Sequence, residues 1–183
     1  MDSLQGSFLI ATPHMPDPRF HKMVVYICGH VADEGAMGLI INHPTSLTLV
    51  EVMEGLGIEA PEVDLPPVYL GGPMETEAGF FLFSKDFECP NFIEVTENLR
   101  LSSDVEILKA ISRGNYPDRY IFALGYSGWA PGQLENELAD DGWLALPGDE
   151  DVIFNTPDND KWEKAARRLG IDISTFGGVV GSA

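Results

Sequence analysis

Three glycines within eight residues, Gly125, Gly128 and Gly132, interleave with Tyr126, Trp129 and Pro131, and no other stretch constrains this chain as strongly. Glycine tolerates left-handed backbone and the close approach of another segment, so such a run demands a tight turn or a crowded packing site. It follows the near-continuous apolar run of residues 119–124, which suits a strand covered on both faces. It precedes residues 133–139, where Pro131 is well placed as the first residue of a helix. The sequence therefore predicts a strand end, a glycine turn and a helix start, the kind of loop that most often carries binding or chemistry.

Gly125-Tyr126-Ser127-Gly128-Trp129 invites comparison with the nucleophile elbow of α/β-hydrolases. That elbow needs glycine two residues after the serine, where Trp129 stands, and a histidine later in the chain. His14, His21, His30 and His43 all precede Ser127, so a serine hydrolase is disfavoured.

Charge narrows the partners. Asp and Glu number 29 against 11 Lys and Arg, a formal net charge of −18. No cation occurs between Met23 and Ser84 or between Tyr120 and Asp160. Such a field repels phosphate backbones, which disfavours direct contact with nucleic acid and leaves a protein partner, of basic character, as the expectation. Four cations cluster in residues 161–168 and read as the solvated face of a final helix.

Composition is globular, with 44% apolar and 22% charged residues, and 183 residues make one domain spanning the chain. The longest apolar runs are too short to cross a bilayer and the N-terminus lacks a secretory pattern, so a cytoplasmic protein is expected. Cys28 and Cys89 are too few for a disulfide scaffold. Cys28 lies in an apolar, β-branched run and should be buried, whereas Cys89, before Pro90, should be more exposed.

Strands are expected over residues 7–11, 23–31, 36–42, 68–70, 79–83, 92–96, 119–124 and 142–146, with Asp33-Glu34-Gly35 turning an early hairpin. Thr48–Glu51 and Ser103–Glu106 each fit a capping box, opening helices that should end near Leu56 and Gly114. Thr156-Pro157 caps a last helix that buries Trp162, Ala165, Ala166 and Leu169 and stops at Gly170. Hairpins early and alternation late favour an α+β or mixed sheet over a strict βαβ repeat.

Two further constellations bear on function. Gly71-Gly72-Pro73 follows a strand and could present amides to an anion, but it lacks a P-loop lysine and reads as a tight turn. Cys28-Gly29-His30 puts a thiol and an imidazole two residues apart, hence on one face of a strand, where an imidazolium could generate a redox-sensitive thiolate. The spacing matches no zinc signature, so no metal is expected.

The blocks Phe8-Leu9-Ile10-Ala11-Thr12-Pro13, Val25-Tyr26-Ile27-Cys28-Gly29-His30, Gly35-Ala36-Met37-Gly38-Leu39-Ile40-Ile41-Asn42, Leu70-Gly71-Gly72-Pro73 and residues 125–138 share the order and spacing of one family. With Trp162 and Gly170-Ile171-Asp172, they resemble the YqgE/AlgH family of bacterial proteins. The resemblance implies a single α+β domain with a coiled or bifurcated, largely antiparallel sheet flanked by about four helices, and no established enzymatic activity, metal or cofactor. Members are described as transcriptional regulators, after a link to alginate production in pseudomonads. The family often carries glutamate where this chain has Gly29, which removes an acid from beside Cys28.

The expectation is a non-enzymatic binding or regulatory protein with no cofactor. Its binding residues would be Gly71, Gly72, Pro73, Gly125, Tyr126, Ser127, Trp129, Gly132 and Gln133. The alternative is a thiol-based sensor or enzyme using Cys28 with His30.

Overall fold

Val24, Tyr26 and Cys28 join one buried apolar cluster while their alternate neighbours Val25 and Ile27 join another, so the central strand has a core on each face. The computed structural model describes residues 2–168. In chain order these form β1 (Ser7–Ala11), β2 (Val24–Val31), β3 (Gly35–Ile40), α1 (Leu49–Gly55), β4 (Val68–Leu70), β5 (Met74–Ser84), β6 (Ile93–Glu94) and β7 (Leu99–Ser102). There follow α2 (Glu106–Ser112), β8 (Tyr120–Trp129), α3 (Gln133–Ala139), β9 (Trp143–Pro147), α4 (Glu150–Asn155) and α5 (Lys161–Arg167).

The strands make one sheet in the order β6-β7-β5-β8-β3-β2-β1-β9, antiparallel throughout, with β4 added parallel to β8. Helices α4 and α5 cover one cluster through Val152, Ile153, Trp162 and Ala165. Helices α1 and α2 cover a second through Met53, Ile107 and Ile111, and α3 covers the third through Leu134. This is the expected α+β domain with a bifurcated sheet, although five α-helices flank it among the described residues.

Strand β8 does not end at Leu124 but runs through Gly125 to Trp129, changing neighbours as it goes. Its first half lies between β5 and β4, with Phe122 opposite Phe81 on one edge and Val68 on the other. Its second half pairs with β3, Ser127 opposite Gly38 and Trp129 opposite Ala36. Gly71 sits in the fork, donating its amide to Leu124 O and accepting from the Ile40 amide, both at 2.8 Å.

From that fork the chain must reach the opposite edge of β8, because Met74 of β5 pairs with Tyr126 there. Residues 71–73 therefore cross β8 backbone against backbone. A Cβ on Gly72 would lie 2.2 Å from Tyr126 C, and one on Gly125, whose φ is +76°, would lie 2.5 Å from Gly72 O. The two glycine motifs thus form one crossing, and a side chain at either would occupy the other's backbone.

A β-bulge between Ile27 and Gly29 overturns the expectation that Cys28 and His30 share a face. Register runs Ile27 opposite Gly38, then Gly29 opposite Met37 and His30 opposite Ala36, leaving Cys28 as the extra residue. One inserted residue shifts the side-chain phase, so Cys28 stays with Tyr26 in the α4/α5 core while His30 turns to α3.

Local capping matches the sequence at α1, where Thr48 and Glu51 form both halves of the capping box. At α2 the acceptor is Asp104, not Ser103: its carboxylate takes the Glu106 amide at 3.0 Å. Pro131 precedes α3 in a turn, and Gly132, at φ +80°, stands at its N-cap. Thr156 ends α4, an unforeseen helix capped by Asp149. Strand β7 was unforeseen too. Cys89 is buried, its thiol beside Ser102 Oγ at 3.6 Å. Leu169 and Gly170 lie outside the described residues.

The cations of α5 are not all solvated. Lys161 is 1% exposed, because α5 docks its N-terminus against the sheet. Its ammonium donates to Ile41 O at 2.7 Å, pairs with Asp158 Oδ1 at 2.9 Å and reaches the Tyr69 oxygen at 3.4 Å. The Tyr69 hydroxyl donates to the same Asp158 oxygen at 2.8 Å. Burial lowers the Lys161 pKa despite this carboxylate.

Candidate functional site

Beyond the crossing, β8, β3, the start of β5, α3 and the loop before β2 enclose a groove of about 1070 Å³. The topology explains its position: β5 leaves β8 at Tyr126, so nothing fills the space beside Ser127–Trp129 that a continued strand would occupy. Five of the expected binding residues line it, namely Pro73, Tyr126, Ser127, Trp129 and Gln133. Gly71, Gly72 and Gly125 do not line it; they make the crossing on which it is built. Gly132 sets the entry of α3 beside it.

The walls are aromatic and thioether-rich. Phe80 meets Tyr126 edge-on at 5.8 Å between centroids, and Trp143 meets both Phe20, at 5.3 Å, and Trp129, at 6.1 Å, in the same manner. Edge-to-face contacts of this kind fix ring orientation. Met15, Met37 and Met74 complete the apolar lining, with Met74 47% exposed.

Glu137 organises one end. Its Oε1 accepts from the indole nitrogens of Trp129, at 3.3 Å, and Trp143, at 2.9 Å, while Oε2 accepts from Gln133 Nε2 at 2.8 Å. Gln133 in turn accepts the Ala130 amide at 3.0 Å. Among the described side chains, Asp17 and Glu75 are the other charged lining residues, with no Lys or Arg beside them. The two cation-free stretches of sequence supply most of this surface. Partial burial, then the neighbouring Glu75 carboxylate, raise the Tyr126 phenol above its ordinary pKa. Met74, Glu75, Glu137 and Trp143 were not foreseen as site residues; the absence of cations around them was the available signal.

Ser127 is buried, and its hydroxyl donates to Gly71 O at 3.2 Å, tying the two segments at the crossing. Cys28 and His30 lie outside the groove lining. His30 Nδ1 accepts the Leu4 amide at 2.8 Å, so the proton of its neutral ring sits on Nε2, which donates to Glu135 at 2.8 Å. The hydrogen bond to His30 holds the Glu135 carboxyl below its usual range.

Cys28 is fully buried, and burial pushes its thiol up to about 12. Two outcomes follow. Iodoacetamide should label Cys28 only as fast as the protein unfolds, and labelling of native protein at the rate of a free thiol would contradict this burial. The folded state keeps the thiol proton above the ordinary value of 9.0. The stabilising contribution is therefore complete below pH 9 and lost as pH rises toward 12, a slope that Cys28→Ala should reduce in alkaline denaturation.

Among the described residues no group of three or more His, Cys, Asp or Glu could hold a metal, and no helix is long and apolar enough to cross a membrane. Fold and groove together define an acidic α+β domain with an aromatic surface groove. The chain belongs to the AlgH-like family, whose model matches residues 8–174. It is 45% identical to UPF0301 protein DP2218 of Desulfotalea psychrophila, over all of this chain and 96% of that one. It is 43% identical to UPF0301 protein Tgr7_2910 of Thioalkalivibrio sulfidiphilus, over 97% and 96% of the two chains. The solution structure of the AlgH protein from Pseudomonas aeruginosa superposes with a TM-score of 0.79 at 39% identity, covering 96% of this chain and 93% of that one. A crystal structure of protein DIP2367 from Corynebacterium diphtheriae shares the fold, with a TM-score of 0.72 at 21% identity over 92% and 87% of the chains.

Proposed function

We propose that this chain is a non-enzymatic cytoplasmic binding protein that receives a protein partner in the groove beside Tyr126 and Trp129. The observation that carries this reading is an open, aromatic groove whose charged lining residues, among the described side chains, are all acidic. Such a surface suits a partner with apolar and cationic side chains and repels nucleic acid. A regulatory role, on this reading, runs through protein contact and not through DNA. Two free, buried cysteines suit a reducing compartment.

Replacing Met74 in the groove with the photo-crosslinker p-benzoylphenylalanine tests the site, with the equally exposed Tyr116 as control position. Crosslinking in cells should yield a discrete protein adduct from position 74 and none in common from position 116. Identical adduct patterns, or retention of duplex DNA by the purified protein at physiological salt, would count against the proposal.

A further inference from the structure

The geometry points to strand addition: we propose that the groove binds an extended basic peptide segment, which pairs with the open edge of β8 at Gly128 and Trp129. This rests on the groove being the binding site. Over Ser127–Trp129, β8 is laddered to β3 on one edge only. On the other edge the pairing with β5 stops at Met74 opposite Tyr126, because the crossing carries the preceding residues away. Among the described residues, no strand pairs with Gly128 or Trp129 there, and Gly128 is exposed.

An unpaired edge offers main-chain donors and acceptors that only an extended chain can match residue by residue. Natural edges are usually blunted by Lys or by inward charge. This one has a glycine in the groove and, among the described lining residues, no cation along it.

Charge selects the sign of the occupant. Between Met74 and Gly79, β5 bulges away from β8 and carries exposed Glu75 and Glu77 beside the groove, and Asp17 lies on the lining. Glu137 already accepts three N–H groups, so the exposed carboxylates of Glu75 and Glu77 are the ones that meet cationic side chains. Side chains of an added strand alternate between its two faces, so a sequence alternating basic and apolar residues fits an acidic rim and an aromatic wall.

The probe is acetyl-Lys-Val-Lys-Val-Lys-Val-amide, titrated into the ¹⁵N-labelled protein beside two controls: the same peptide N-methylated at alternate residues, and a helical alanine-lysine peptide of equal charge. Strand addition predicts that saturation slows amide exchange within residues 128–129 by about ten-fold or more, and that N-methylation weakens binding by a similar factor. Glu75→Lys, an exposed change that leaves the core intact, should weaken binding about five-fold or more and flatten its salt dependence. Equal binding by the N-methylated or helical peptide overturns strand addition while leaving the groove as a binding site. Shifts confined to residues outside the groove overturn both readings. A concentration-dependent dimer that protects the same amides, and that Glu75→Lys leaves unchanged, would assign the edge to a second copy and overturn the peptide.

Discussion

Gly125→Ala is expected to lower stability by about 3–5 kcal/mol, the sum of left-handed backbone strain and overpacking against backbone. The added Cβ would lie 2.5 Å from Gly72 O and 3.1 Å from Met74 O, and backbone on both sides leaves no flexible side chain to yield. Gly132→Ala is the control: its φ of +80° matches the +76° of Gly125, but nothing lies within 4 Å of its Cβ position. It should lose only the conformational part, about 1–2 kcal/mol. Urea denaturation midpoints for the two variants separate the effects. Equal losses would mean that the crossing is not tight.

Asp158→Asn should cost about 3 kcal/mol, because it leaves the buried Lys161 ammonium without its countercharge. The double variant Asp158→Asn with Lys161→Met removes both charges and should change stability by only about 1 kcal/mol, since replacing a buried ion pair by uncharged groups of similar volume is often neutral. The pH dependence has a definite sign. Burial lowers the Lys161 pKa, so between that value and the ordinary 10.5 the unfolded chain holds the extra proton. Stability from this group therefore rises with pH across that window. Losing Asp158 lowers the pKa further and widens the window downward. As pH rises toward 10.5 the Asp158→Asn variant should regain stability from a lower starting pH than the wild-type protein, and identical profiles for the two would contradict the role given to Asp158.

Local physics made much of this fold legible. Thr48 and Glu51 satisfy each other's backbone within four residues, so the helix they start can be read without knowing what it packs against. The hairpin of β2 and β3 and the burial of Cys28, Trp162 and Ala165 follow from apolar periodicity. Features that depend on distant partners were not legible. Gly71-Gly72 and Gly125 each signalled crowding, but their crowding each other spans some fifty residues of sequence, and neither stretch alone distinguishes a crossing from a turn. Gly29 signals that the strand can bulge but does not fix where the register shifts, so the alternation rule put His30 on the wrong face. Lys161 has the composition of a surface residue and is buried only because Asp158, Tyr69 and Ile41 O meet it. Part of the groove was visible as Pro73, Tyr126, Ser127, Trp129 and Gln133; Glu137 and Trp143 joined it through a hydrogen-bond network that spacing does not encode.

The shared acceptor of Trp129 and Trp143 gives the protein a built-in optical gauge. Two indoles 6.1 Å apart and inclined by 75° hydrogen-bond the same carboxylate, so their excited states are close enough to couple and both respond to its charge and position. The third tryptophan, Trp162, lies in the α4/α5 core and donates to Ala11 O, outside the groove lining. Near-ultraviolet circular dichroism and emission quenching therefore report on the groove against an internal reference, and occupancy can be followed without attaching a dye.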